Sequence, residues 1–254
     1  MQHKVQYKFW ATLFDAYQNY LDATDIYEEY WGYSENPPFT LQEFQDKQYQ
    51  SLLDTINKVP FDSEAADKGT SFNEVIDCMV LHQNSDRMKI TKEYSNEGSL
   101  IGVKAIYNNR EFHFPLHLIK QMADYYKGGV PQQYVEATLP TAYGDILLYG
   151  YIDYIMPLMI CDLKTTSRYS VGKFKNHYQH LVYPYCLQQS GADVRMFEYN
   201  IVVMTKYSYD IFKECYLFRP ERDIPKLTAT CEDIVRFLQD NRDKITNRKI
   251  FALE

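Results

Sequence analysis

Two acids and one lysine, carried by two neighbouring apolar segments, are the residues whose types and spacing point most directly to chemistry. Asp153 lies in the segment DILLYGYIDYI, and Asp162 and Lys164 lie in the segment LMICDLKTT. Side chains alternate along a strand, so Asp162 and Lys164 share a face, and a hairpin between the segments would bring Asp153 beside Asp162. Two carboxylates in a partly dry cleft repel each other unless a cation accompanies them. The pattern therefore predicts an oxygen-only site for a hard cation, Mg²⁺ or Mn²⁺.

The same residues suggest a division of roles. Asp153 and Asp162 would be metal ligands, with the carbonyl oxygen of Leu163 and water molecules completing the coordination. Lys164 would position or deprotonate an attacking water and offset charge in the transition state. The alternative is an ordinary ion pair at an exposed strand end, because a D-x-K tripeptide occurs about once by chance in a chain of this length. The cost of placing unpaired carboxylates in apolar strands favours the ligand role.

A basic segment overlaps and follows the second of these strands. The chain has 27 Lys and Arg against 34 Asp and Glu, a net charge of −7, and residues 1–66 hold the whole excess, with 4 Lys and 11 acids. No acid occurs from Leu163 to Ala192, where the cationic side chains are Lys164, Arg168, Lys173 and Lys175, joined by His177 and His180. Charge alone favours a solvated helix surface as the interpretation of this segment.

The hydrophobic pattern predicts the elements that position these groups. It predicts a helix over about residues 4–31, a second helix opened by a capping box at Thr40 and Glu43, and a third helix starting just after Gly69. Three strands with a turn at Asn108 and Asn109, a helix near 115–126, three strands, a helix near 171–189, two strands and a helix near 225–244 follow. This order predicts an α/β fold with a mixed sheet flanked by helices. Residues 1–66 would form an acidic helical lobe and residues 67–254 the core.

Composition limits the class of protein. The chain is 45% hydrophobic and 24% charged, which is typical of a folded globular protein. No run approaches the roughly 18 to 20 apolar residues of a membrane span, and the first residues lack a signal-peptide cleavage site, so we expect a cytoplasmic protein without membrane contact. The five cysteines include no C-x-x-C pair, which argues against a zinc site. Base stacking could use some of the 24 tyrosines, but core packing explains them more simply.

Taken together, the motifs resemble those of the PD-(D/E)XK nuclease superfamily, most closely its RecB-like and phage-exonuclease branch. In that branch a G-x-x-D strand precedes a D-x-K strand, and a helix bearing Q-x-x-x-Y follows. The matching segments, in the same order, are Gly150-Tyr151-Ile152-Asp153, Asp162-Leu163-Lys164 and Gln179-His180-Leu181-Val182-Tyr183. The resemblance covers residues 67 to 205 and implies a restriction-endonuclease-like core.

One motif of that branch is altered. An earlier helix reads G-T-x-x-H in the family, where the histidine can contribute a metal ligand, and an acid follows four residues later. Here Asn73 stands in the place of the histidine and Asp77 in the place of the acid. The resemblance implies Asp77 as a further acid near the metal, with Glu74 as the competing candidate. Glu136 matches an acid often seen on the strand before the hairpin.

The resemblance also implies contacts to the substrate. Gln179 and Tyr183 are four residues apart, so one helix face carries both, and they would orient Lys164 and contact the DNA backbone. Arg168, Lys173 and Lys175 would be phosphate contacts at the rim of the cleft.

The function that the resemblance implies is a Mg²⁺- or Mn²⁺-dependent deoxyribonuclease that leaves 5′-phosphates. An exonuclease of recombination, repair or phage origin is the first choice because of the Gln-Tyr helix. The alternatives are a sequence- or structure-specific endonuclease and a non-catalytic nucleic-acid or protein-binding module. The scattered cysteines do not support the iron-sulfur cluster of some relatives. The acidic lobe could bind a partner protein, and a homo-oligomer is left open.

Overall fold

The structure is a computed structural model that describes residues 4–205 and 208–252. Its helices are α1 (Ala11–Leu21), α2 (Ala23–Trp31), α3 (Leu41–Asn57), α4 (Glu64–Leu81), α5 (Leu116–Tyr126), α6 (Gln179–Gln189) and α7 (Pro220–Asp240). Its strands are β1 (Val5–Trp10), β2 (Lys89–Tyr94), β3 (Leu100–Tyr107), β4 (Arg110–Pro115), β5 (Val130–Thr141), β6 (Gly144–Met156), β7 (Met159–Thr166), β8 (Met196–Met204) and β9 (Tyr209–Leu217). Two 3₁₀ turns, Arg242–Lys244 and Arg248–Phe251, follow α7.

Six strands form a mixed central sheet. The long strand β6 pairs along one edge with β5 from Gly144 to Ile155. Its other edge pairs in parallel with β1 as far as Tyr149, and in antiparallel with β7 only from Tyr154 onward. Strand β8 then runs parallel to β7, and β9 antiparallel to β8. This mixed sheet flanked by helices confirms the predicted α/β fold class.

The strand β6 therefore has an unpaired stretch in its second edge. Between Tyr149, the last partner of β1, and Tyr154, the first partner of β7, neither strand occupies that edge. The stretch comprises Gly150 to Asp153, so the G-x-x-D motif coincides with a fork in the sheet. Backbone groups at a fork have no ladder partners, and side chains and helices must satisfy them.

Hydrophobic clusters cover both faces of the central sheet. One cluster joins the sheet to α1, α3, α6 and α7, and the other joins it to α4, α5 and the small sheet β2-β3-β4. The turn of that small sheet has φ angles of 48° at Asn108 and 61° at Asn109, the left-handed pair of a tight hairpin, as predicted. No helix of the described residues is long and apolar enough to cross a membrane.

The prediction of one helix over residues 4–31 is wrong in its first part. Residues Val5–Trp10 form β1, which pairs in parallel with β6, and the helical remainder divides at Asp22 into α1 and α2. Aromatic residues at helical spacing gave a continuous pattern, but pairing with the central strand β6 satisfies the backbone of Val5–Trp10 instead. The lobe over residues 1–66 is thus not wholly helical, and its boundary at residue 67 remains a prediction.

Helix boundaries differ from prediction at two further places. Helix α4 begins at Glu64, five residues before Gly69, because the Ser63 hydroxyl accepts a hydrogen bond from the Ala66 N–H at 3.2 Å. Helix α7 begins at Pro220 rather than near Pro225 and ends at Asp240. Proline is tolerated in the first turn of a helix, so Pro225 was a weak guide to its start.

Candidate active site

The fork between β6 and β7 is held by the side chain of Asp153. Its Oδ2 accepts a hydrogen bond from the N–H of Leu163 at 2.9 Å, where a continuous ladder would have placed a backbone carbonyl. The alternation of β6 also reverses here, since Ile152 packs in one hydrophobic cluster and Tyr154 in the other. Gln132, opposite Asp153 on β5, has a φ of 51°. The irregular backbone thus turns Asp153 edgewise, toward β7.

Asp162 is the buried centre of the site. It is 2% exposed, and its Oδ1 accepts a hydrogen bond from Gln179 Nε2 at 2.7 Å. Lys164 Nζ lies 2.8 Å from the other carboxylate oxygen. The strand alternation predicted this juxtaposition of Asp162 and Lys164, and the helix α6 adds the third member.

The charges of the site act on one another strongly. Burial, together with the negative charge of Asp162, raises the pKa of Asp153 to about 7, against the opposing effects of Lys164 and the Leu163 N–H. Burial lowers the pKa of Lys164, but Asp162 and Asp153 outweigh it, so the net pKa of Lys164 is raised. Lys164 is therefore held as an ammonium, which suits charge compensation and hydrogen-bond donation rather than proton abstraction.

The donor atoms at the fork fit a hard divalent cation. Asn73 Nδ2 lies 3.4 Å from Asp153 Oδ2, and the carbonyl Oδ1 of Asn73 is buried with no hydrogen-bond partner. An oxygen left in that state is costly unless something binds it. No group of three or more His, Cys, Asp or Glu poised to hold a metal occurs among the described residues. Within the part of the chain that the structure describes, any metal site at the fork would therefore have only two carboxylates, Asp153 and Asp162, and would need amide or backbone oxygens to complete an oxygen-only donor set of the kind that Mg²⁺ or Mn²⁺ takes.

Gly150 and Tyr183, from two different motifs, meet inside the core. A Cβ atom built on Gly150 would lie 2.7 Å from Cε1 of Tyr183, well inside contact distance. Tyr183 is buried, and its neighbours include Gln179, one helical turn earlier. The glycine of the G-x-x-D motif therefore makes room for the tyrosine of the Q-x-x-x-Y motif, and this close approach brings α6 against β6.

The helix predicted over residues 171–189 is shorter than expected. Helix α6 begins at Gln179, and turns occupy the preceding residues. Gly172 has a φ of 83°, and the Glu214 carboxylate on β9 accepts hydrogen bonds from the backbone N–H groups of Gly172 at 2.9 Å and Phe174 at 3.3 Å. These long-range bonds replace the helical ones, so the predicted start at Val171 is wrong.

Asp15 of α1 is a residue of the site that the sequence did not indicate. Its Oδ1 accepts a hydrogen bond from the N–H of Tyr178 at 2.8 Å, immediately before Gln179, and its Oδ2 lies 3.0 Å from Nδ1 of His177. The ring of Phe14 stacks on Tyr178 with centroids 5.2 Å apart. Helix α1 therefore fixes the start of α6. An acid among eleven in residues 1–66 carries no local signal for such a role.

Replacing Asp15 by alanine should destabilise the start of α6. The variant leaves a buried N–H and a histidine without their partner, so we expect a loss of about 1–3 kcal/mol in the free energy of unfolding and faster amide exchange at residues 178–181. Urea denaturation and hydrogen exchange would measure both. Asp15→Asn keeps an acceptor oxygen and should lose less. Asp25→Ala, which removes an exposed acid of α2, is the control, and equal effects of Asp15→Ala and Asp25→Ala would contradict this assignment.

The other predicted acids have hydrogen-bond partners outside this cluster, although the negative charge of Asp77 still raises the pKa of Asp153. Asp77 accepts hydrogen bonds from the Tyr154 hydroxyl and, at 3.0 Å, from Gln132 Nε2, and burial raises its pKa. Glu74 accepts from the Ser85 hydroxyl at 2.6 Å and pairs with Arg87 at 3.4 Å. Glu136 is exposed and accepts from the Tyr134 hydroxyl at 2.6 Å. The structure thus brings Asp153, Asp162, Lys164, Gln179 and Asn73 together, while Asp77, Glu74 and Glu136 have other partners.

The predicted phosphate contacts lie on the surface after β7. Arg168, Lys173 and Lys175 are exposed. Lys173 Nζ donates to the Thr166 hydroxyl and to the Arg168 carbonyl, each at 3.0 Å, which anchors the turn that carries them. Their role in binding DNA remains a prediction.

His180, next to Gln179, is a buried histidine whose titration should affect stability. Its ring stacks on Tyr216 with centroids 4.3 Å apart. Burial, with smaller contributions from the positive charges of Lys226 and His177, lowers its pKa from 6.5 to about 4, against the opposing effects of Asp223 and Asp15. The neutral form is therefore the one that the fold accommodates.

Acidification should destabilise the protein partly through His180. Because the folded-state pKa is depressed, the stabilisation is fully present above about pH 6.5 and is lost as the pH falls toward about 4, where the loss amounts to about 3 kcal/mol. His180→Phe, which keeps the ring stack, should lose less stability between pH 7.5 and 4.5 in urea titrations. The exposed His82→Asn variant should follow the wild type. Parallel curves for all three proteins would contradict the assignment.

Comparisons with known proteins add little to this geometry. No family model and no curated protein matches the chain. Among solved structures, the chain is similar to the one described as the crystal structure of SSO0001, at 11% identity and a TM-score of 0.35. The match covers 48% of this chain and 56% of that one. A similarity this low carries no argument about fold or function.

Proposed function

We propose that this protein is a metal-dependent deoxyribonuclease, most closely an exonuclease of the RecB-like PD-(D/E)XK type. The proposal rests on the contacts of Asp162. This buried carboxylate pairs with Lys164 at 2.8 Å and accepts a hydrogen bond from Gln179 at 2.7 Å. It lies next to the fork, where Asp153 accepts a hydrogen bond from the Leu163 N–H. Three separate motifs, on β6, β7 and α6, thus supply one cluster. A surface ion pair would not place its acid at 2% exposure.

The residues of the cluster have separable roles in phosphodiester hydrolysis. Asp153 and Asp162 would hold Mg²⁺ or Mn²⁺, which when bound activates water and neutralises charge on the phosphate. Lys164, kept protonated by the two acids, donates hydrogen bonds and compensates the negative charge that develops on the phosphate oxygens. Gln179 fixes the carboxylate plane of Asp162 through its Nε2–H, and Tyr183 locks α6 against β6 at Gly150. The exposed Arg168, Lys173 and Lys175 would contact phosphates farther along the strand.

Digestion of end-labelled linear DNA and of closed circular DNA tests the reaction. With Mg²⁺ or Mn²⁺ we expect loss of the linear DNA only, no loss in EDTA, and 5′-phosphate products, because an exonuclease needs an end. The position of the label gives the polarity. Cutting of the circle would replace the exonuclease by an endonuclease. Binding without any metal-dependent cleavage would overturn the enzyme assignment in favour of a non-catalytic nucleic-acid-binding module.

A further inference from the structure

Four aromatic rings form a continuous row across β1, β6 and β5, on the face of these strands opposite α6, which we call the aromatic row: Trp10, Tyr149, Tyr134 and Tyr151. Ring centroids are 6.3 Å apart between Trp10 and Tyr149, 6.5 Å between Tyr149 and Tyr134, and 5.2 Å between Tyr134 and Tyr151. Cross-strand register explains the row, because Tyr149 pairs with Trp10 and Tyr151 with Tyr134. Adjacent ladder partners share a face of a sheet.

Most of the aromatic row lies outside core packing. Leu148 and Ile152, next to Tyr149 and Tyr151 in sequence, lie in the hydrophobic core, so these two tyrosine rings lie on the opposite side of β6, whereas Trp10 is half-buried and also packs against that core. Tyr151 is 60% exposed and Tyr134 is 41% exposed. Exposed aromatic groups in a contiguous row are unusual on a protein that has buried most of its large side chains, and such surfaces mark binding sites.

The aromatic row leads toward the candidate active site. Tyr151 lies on β6 two residues before Asp153, a separation of about 7 Å along a strand. It also lines a cavity of about 630 Å³ between the end of α4 and the β5–β6 hairpin, together with Asp77, Gln132 and Arg87. A chain lying along the row would therefore approach the fork from the unpaired stretch of β6.

The charges beside the aromatic row suit a phosphate backbone at one end. Lys58 Nζ lies 4.6 Å from the ring centroid of Trp10 and 3.3 Å from the Tyr149 hydroxyl. Lys8, two residues before Trp10 on β1, shares its face by strand alternation. Acids lie on the same face as well, namely Asp145, four residues before Tyr149 on β6, and Glu136, which accepts a hydrogen bond from the Tyr134 hydroxyl and so lies beside that ring.

From these observations we infer that the aromatic row binds the unpaired bases of a single nucleic-acid strand, with Lys58 and Lys8 contacting its phosphates. Flat rings at this spacing stack on any base without reading sequence, and each stacked base contributes about 1–3 kcal/mol. Paired bases in a duplex have no free face to offer. The inference rests on the proposed function in one respect: in a nuclease, the strand bound along the row would be the substrate strand that enters the site at Asp153. Binding along the row does not itself require cleavage.

Trp10 provides the signal that tests the inference. In a Trp31→Phe background Trp10 is the only tryptophan, and oligo-dT titrated in EDTA should quench its emission. A Tyr134→Ala, Tyr151→Ala double variant should bind at least about tenfold more weakly, while Tyr33→Ala, which removes a fully exposed tyrosine away from the row, should bind unchanged. A blunt hairpin duplex should compete poorly with oligo-dT.

Three results would overturn the inference. The first is equal affinity of the double variant and the wild type, and the second is binding of oligo-dT that leaves Trp10 emission unchanged. The third is failure to bind any oligonucleotide, and self-association through the row in sedimentation would then assign it to a protein contact. Binding is measured in EDTA and so does not depend on metal or on cleavage. A protein that binds oligo-dT through the row but never cleaves DNA with Mg²⁺ would therefore refute the proposed nuclease and still support the inferred binding site.

Discussion

Replacing Lys164 by alanine, or Asp162 by asparagine, is expected to lower DNA cleavage by at least about a thousandfold. Lys164→Ala removes the only ammonium within ion-pair distance of Asp162 among the described residues, and Asp162→Asn removes one of two carboxylates at the fork. The measurement is the initial rate of digestion of end-labelled DNA at saturating Mg²⁺.

The two variants should differ in how they affect the metal. Lys164→Ala leaves both acids, and should still bind Mn²⁺ in calorimetric or EPR titrations, whereas Asp162→Asn should bind it weakly. Lys120→Ala and Asp124→Asn, which change exposed residues of the same types on α5, are the matched controls and should cleave at the wild-type rate. Retained cleavage in Lys164→Ala with normal folding would refute its proposed role.

Removing an acid from the fork should also stabilise the protein in the absence of metal. Asp153 and Asp162 repel each other in a buried setting, and this repulsion contributes to the raised pKa of Asp153. A higher urea midpoint for metal-free Asp153→Asn, which keeps an oxygen to accept from the Leu163 N–H and leaves the Asp162–Lys164 pair intact, together with lost activity, would show that the site carries strain for its function. It would also separate loss of activity from loss of folding.

The second large effect is expected at Gly150. An alanine there would place its Cβ 2.7 Å from the Tyr183 ring. Because that ring is buried in the hydrophobic cluster between the central sheet and α6, its movement away from the new methyl group is restricted. Overpacking of this kind costs about 1–3 kcal/mol, and displacement of α6 would also move Gln179 away from Asp162. We therefore expect Gly150→Ala to lower both the free energy of unfolding and the cleavage rate.

A double-mutant cycle identifies the clash as the cause. In a Tyr183→Ala background the space beside Gly150 is open, so the added methyl group should cost little, and the coupling free energy should be about 1–3 kcal/mol. Additive effects of the two substitutions would mean that Gly150 is needed for a reason other than the ring. Chemical denaturation of the four proteins provides the measurement.

Local patterns predicted much of the fold because their physical causes are local. The capping box of α3 forms as predicted, with the Thr40 N–H donating to Glu43 Oε2 at 2.7 Å and the Glu43 N–H to the Thr40 hydroxyl at 3.2 Å. Asn108 and Asn109 adopt the positive φ of a tight hairpin. The contact of Lys164 with Asp162 was likewise predictable, since a strand places alternate residues on one face.

The sequence by itself identified the candidate site residues, because each motif spans only a few neighbouring positions in the chain. These residues are Asp153, Asp162, Lys164, Gln179 and Tyr183. Tertiary structure decided which other residues join them. Asp15 accepts a hydrogen bond from Tyr178, 163 residues later in the chain, and Asp77 accepts hydrogen bonds from Tyr154 and Gln132. The segment Val5–Trp10 forms a strand because it pairs with an edge of β6. Such contacts depend on the pairing of distant segments, whose free energy outweighs the local preference of either segment and leaves no periodic trace in the chain.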